Sequence, residues 1–115
     1  MELTCRDIGT VRVLSVEGRI DHSRAADFQQ ALAPYLNDCS AQGQALVLDF
    51  GAVDYVSSIG LRALMLAAKQ VKAQNGQIAI AALSPVVSEV FQISRFNLVF
   101  TIYDSVDAAA AELAK

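Results

Sequence analysis

The chain is poor in the residues from which metal, redox and hydrolytic sites are built. It has two cysteines, Cys5 and Cys39, and one histidine, His22, in 115 residues. The cysteines lack CxxC spacing and a histidine neighbour, so they read as reduced structural thiols, and a zinc site, which needs several protein ligands, is not expected. Basic residues are also scarce: nine Lys and Arg stand against twelve Asp and Glu, for a net charge of -3. They are scattered, so nothing is available to hold a phosphate backbone, and no direct nucleic-acid partner is expected. Long apolar runs are absent, the best being interrupted by Asp54, Arg62, Lys69 or Gln77, which argues against membrane insertion. The opening "MELTCRDIGT" puts acid and polar groups where a secretory leader has a basic start and an apolar run. Together these absences predict a cytoplasmic protein.

What the chain does have is apolar bulk. Hydrophobic residues make up 54% of it, enough for a real core in one compact domain over residues 1–115. "VRVLSVEG" reads as a strand, with "ELTCRDIG" as its hairpin partner through Gly9-Thr10. In "HSRAADFQQALAPYLNDC", Ala25, Phe28, Leu32, Tyr35 and Leu36 recur at helical spacing, with Asp21, His22 or Ser23 as candidate caps. Pro34 lies inside that pattern and predicts a kink or a broken last turn. "ALVLDF" is the continuous apolar run of a strand buried on both faces.

A second helix runs from Ile59 to Asn75, with Leu61, Leu64, Met65, Ala68 and Val71 on one face, and stops at Asn75-Gly76. "QIAIAAL" is a strand. "SPVVSEVFQIS" is a short helix capped by Ser84 with Pro85 at its first position. "LVFTIY" is a last strand, and Asp104 or Ser105 caps an alanine-rich terminal helix suited to lying flat on a surface. The alternation predicts an α/β fold: a mixed, largely parallel sheet of four to five strands with about four helices packed on it.

The stretch "DYVSSIGLRALML" raises the functional question, because it places two hydroxyls, Ser57 and Ser58, where a strand passes into a helix. A hydroxyl there can accept a hydrogen bond from an unpaired first-turn amide. Gly60 just inside the helix costs about 1 kcal/mol relative to alanine, which suggests that something comes close to the backbone.

These residues, with "VEGRIDHSRAADF" before them and "SPVVSEVFQISRFNLVFTIYDS" after, resemble the STAS domain family and, within it, the small anti-sigma-factor antagonists of bacteria. The resemblance covers essentially the whole chain and rests on the order and spacing of the three segments. It implies that Ser58 is the acceptor for an anti-sigma factor with serine kinase activity, with Ser57 as an alternative acceptor. Ser57 stands where the family usually has aspartate, a departure that bears on which kinase recognises the site. The resemblance also places Asp21 near the acceptor. It implies a partner-binding surface of Asp21, His22, Tyr55, Ser57, Ser58, Ile59, Gly60 and Arg62, a serine phosphatase that resets the switch, and no cofactor or enzymatic activity of the chain's own.

Other readings compete. A serine, histidine and aspartate set from Ser58, His22 and Asp21 lacks the GxSxG elbow and an oxyanion hole. A nucleotide-binding STAS module would find no GxxxxGK[ST] loop or GxGxxG turn here. A regulatory subunit of a transport ATPase or of another signalling assembly remains open. Arg62, Lys69 and Lys72 read first as a solvated helix face.

Overall fold

A computed structural model describes residues 3–114. The hairpin forms as expected: β1 (Thr4–Ile8) runs antiparallel to β2 (Val11–Ile20), with Gly9 at φ +60° in the turn. Glu2, with which the expected strand "ELTCRDIG" began, lies outside the described residues. The chain continues as α1 (Ala25–Asn37), β3 (Ala45–Val56), α2 (Ser58–Ala73), β4 (Ile78–Ala81), α3 (Pro85–Ile93), a 3-10 turn (Phe96–Leu98), β5 (Thr101–Tyr103) and α4 (Val106–Leu113). The strands lie side by side in chain order, and every pairing after the first is parallel.

That order dictates where the helices go. Each parallel connection steps in the same direction across the sheet, and such crossovers are almost always right-handed. Successive crossovers of one hand therefore stack α1, α2 and α3 on one face. Phe28 and Leu32 of α1, Leu64 and Val71 of α2, and Val87 and Phe91 of α3 share a core with Leu14, Leu46, Leu48 and Ile80 of the sheet. The opposite face is left to α4, whose Ala109 and Ala110 lie on Val11, Val13, Ala45, Val47 and Ala81. Alternate residues of β3 thus feed two cores, which explains its unbroken apolar run.

Several expectations are corrected. None of Asp21, His22 or Ser23 caps α1. Arg24 stands at the N-cap without a side-chain bond, while the Asp21 carbonyl accepts from the amides of Arg24 (3.1 Å) and Ala25 (2.9 Å). Helix α1 passes Pro34 unbroken to Asn37. Pro34 and Gln30 are both exposed, so the carbonyl that loses its donor is within reach of water. Met65 is 36% exposed, and Ala63 and Ala67 fill the packed face of α2 in its place.

Only the second half of "LVFTIY" is strand. Residues four apart on a strand stand about 13 Å apart, yet the Phe96 and Phe100 rings stack at 6.3 Å, and Phe96 meets Phe91 edge-on at 5.6 Å. Burying both rings requires the chain to coil first.

At the far end of α2 the left-handed residue is Asn75 (φ 59°), not Gly76. Glycine is needed at 76 for a different reason, since a Cβ there would stand 2.5 Å from the Cys39 carbonyl oxygen. Gln74 ties the same region together, its Nε2 donating to the carbonyls of Leu36 (2.8 Å) and Cys39 (2.7 Å). Gln74→Ala removes both bonds from the end of α1 and is expected to cost about 1–2 kcal/mol in urea unfolding. An unchanged midpoint would show that water replaces the amide without loss.

Candidate functional site

The two serines at the end of β3 have different environments. Ser57 is extended (φ -83°, ψ 172°), and its amide donates to the Ile20 carbonyl at 2.9 Å, carrying the β2–β3 pairing one step past the strand. Its hydroxyl oxygen accepts from the Gly60 amide at 3.2 Å and its carbonyl from the Leu61 amide at 2.8 Å. Ser57 is therefore the N-cap of α2, the plain role that its position allows. Ser58 is the first helical residue, is exposed, and has no side-chain hydrogen bond among the described residues.

Gly60 shows what comes close to the backbone. A Cβ at that position would stand 2.6 Å from the Ile20 carbonyl oxygen and 2.9 Å from side-chain carbons of Ile20 and Val56. The first turn of α2 is pressed onto the ends of β2 and β3, and no side chain larger than hydrogen fits between. Ser57 and Ser58 are thereby brought beside the loop that begins with Asp21.

The Asp21 carboxylate is well engaged. One oxygen accepts from the Ser23 hydroxyl (2.6 Å) and amide (3.1 Å), and the other lies 3.7 Å from the Arg19 Nε. The Ser23 hydroxyl is the main cause of a pKa below the ordinary aspartate value. Partial desolvation opposes it, and the Ser23 amide, Arg19 and, least, His22 add to it. Arg19 also lies over the Tyr55 ring, 4.8 Å from its centroid, across the paired positions of β2 and β3. Sequence reasoning missed Arg19. The available signal was its spacing, because residues two apart on a strand share a face, which places Arg19 on the same side as Asp21.

Other proposed site residues scatter more. His22 is exposed and hydrogen-bonds neither Asp21 nor Ser58 among the described residues, so the hydrolytic set is not assembled. Arg62, one turn beyond Ser58, is exposed and forms no ion pair among the described residues. Of the neighbouring apolar residues, Val56 and Leu61 belong to the core, whereas Ile59 is 49% exposed. Among the described residues no cluster of three or more potential metal ligands occurs, and no helix is long and apolar enough to cross a membrane.

A sheet with one antiparallel edge, three helices on one face and a serine-bearing helix start is the arrangement of the STAS domain, whose family model matches residues 3–109. The chain belongs to that family. BtrV of Bordetella bronchiseptica, whose name describes an anti-sigma factor antagonist, is 35% identical over 111 residues, covering 96% of this chain and 93% of that protein. The crystal structure of an anti-sigma factor antagonist from Mycobacterium paratuberculosis is similar at a TM-score of 0.84 and 26% identity, over 96% of this chain and 92% of the other. SpoIIAA of Bacillus in its phosphorylated form shares the fold at a TM-score of 0.68 and 14% identity, over 96% of this chain and 97% of the other.

Two measurements test the local geometry. Ser57→Ala removes the cap and is expected to lower stability by about 1 kcal/mol in denaturant unfolding; no loss would mean the Gly60 amide finds water equally well. Because the Asp21 pKa is lowered by folding, its stabilisation is present above the ordinary aspartate range and is lost as pH falls through the folded value. Wild type should therefore exceed Asp21→Asn in stability at neutral pH, and the gap should close below about pH 4. A gap that persisted into strong acid would assign the difference to something other than the carboxylate charge.

Proposed function

We propose that the chain is an anti-sigma-factor antagonist acting by phosphorylation-controlled partner switching in the cytoplasm. Unphosphorylated, it binds an anti-sigma factor with serine kinase activity and so frees that factor's client. The kinase moves the γ-phosphoryl group of ATP to the Ser58 oxygen, ADP leaves, and the complex dissociates; a serine phosphatase hydrolyses the ester and resets the cycle. The chain is then a substrate and binding module, not an enzyme.

The observation that carries this reading is the division of labour between the serines. Ser57 spends its oxygen on the helix cap, whereas Ser58 is exposed at the first position of a sixteen-residue helix. A phosphoserine carries about -1.5 to -2 charge at neutral pH, and a helix N-terminus tolerates that charge. The fold therefore survives modification, while a contact made through Ser58, Ile59 and Arg62 does not.

Arg19 partly neutralises Asp21, so repulsion from that carboxylate is weaker than it would be from a bare charge. The larger penalty is desolvation of the dianion in the contact. Each 1.4 kcal/mol is about tenfold in affinity, so a penalty of a few kcal/mol suffices for release.

Partner capture with wild type, Ser58→Ala and Ser58→Glu baits, each first checked for an unchanged melting temperature, tests the switch. A serine-kinase anti-sigma factor is expected on wild type and Ser58→Ala, with retention on Ser58→Glu reduced about tenfold or more. Equal retention on all three, or capture of a transport ATPase in the kinase's place, would reject it. Incubation with the captured kinase and ATP should label wild type and leave Ser58→Ala unlabelled. Labelling of Ser58→Ala at the wild-type yield would move the acceptor to Ser57.

A further inference from the structure

The short β5 and the coil before it leave the outer flank of α2 uncovered at the end of the sheet opposite Ser58. The hollow there measures about 590 Å³, inside the range of about 300–1,000 Å³ usual for small-molecule sites. Its apolar surface comes from Val99, which is 43% exposed, and from the partly buried Ala68, Ile78 and Leu113. Lys69 and Lys72 stand at its rim, both exposed and neither in an ion pair among the described residues. Among the described residues no acid lines it, although acids outnumber bases in the chain.

The end of a helix would ordinarily repel an anion. Here the carbonyls of Gln70, Val71 and Lys72 already accept from the amides of Gln74, Asn75 and Gly76, and the two ammonium groups dominate the local charge. An adjoining hollow of about 340 Å³ shares Asn75, Gln77 and Leu113 and has Glu112 in its wall, so among the described residues lining the two hollows the one acid lies on that far side.

We propose that this cleft binds a small organic anion with an apolar body, its acidic head between Lys69 and Lys72 and its hydrocarbon on Ala68, Ile78, Val99 and Leu113. The two lysines then form a binding rim, which helical spacing alone could not distinguish from a solvated face. The site is separate from the Ser58 surface and does not depend on its role.

The test is a titration of the isotopically labelled protein followed by amide NMR, with submicellar decanoate as the probe and decyltrimethylammonium as the charge-reversed control. Decanoate is expected to give saturable shifts at residues 68–79, 99–101 and 113, weakening as salt is added. The Lys69→Glu/Lys72→Glu protein, with an unchanged melting temperature, should bind it about tenfold more weakly. Equal binding of the cationic control, unchanged affinity in the double variant, or shifts centred on the exposed Ile93 and Leu98 would each overturn the proposal.

Discussion

The constraint on which the site depends is the seating of the first turn of α2 against the Ile20 carbonyl. That one oxygen accepts from the Ser57 amide and leaves no room for a side chain at residue 60. Two strands, a loop and a helix meet at a single point, and their relative positions cannot drift independently. Ser58 is consequently displayed from a rigid support rather than a mobile loop, which suits the proposed role in which another protein's active site reads it. Beside it, the Ser57 hydroxyl is engaged by the Gly60 amide as the helix cap.

Much of this was legible beforehand. Strand β3 could be recognised because burial on two faces leaves an unbroken apolar run, and Ser84-Pro85 marked the start of α3 because a cap followed by proline has few other uses. The cap at Ser105 was one of two candidates, and its oxygen does accept from the Ala108 amide at 3.1 Å. The failures have a common origin in tertiary contact. Nothing local says that Phe96 and Phe100 must stack on each other, so an extended run was the natural reading of residues 98–103. The Asn75-Gly76 pair does stop α2, but the left-handed residue is Asn75, and the need for glycine at 76 comes from the neighbouring Cys39 carbonyl, which no local pattern reveals.

The candidate site divides in the same way. Asp21, Ser57, Ser58 and Gly60 could be singled out from spacing and from a family pattern. Arg19 could not, because its importance comes from side chains it meets across a strand pair: the Asp21 carboxylate on its own strand and the Tyr55 ring on the next. A side chain that meets both the Asp21 carboxylate and the Tyr55 ring is a natural place to tune which partner is recognised.

The unequal covering of the sheet has a consequence for folding in the cell. Three helices close one face, but the other depends on α4, eight residues long and half alanine. Its grip comes from the buried Ala109 and Ala110 and the partly buried Val106 and Leu113, so it is among the less costly elements to detach. Detachment would expose Val11, Val13, Ala45 and Val47 on adjacent central strands. A nascent chain lacks α4 until all five strands have been made, so until then the second face is a flat, sticky surface that other apolar chains can cover.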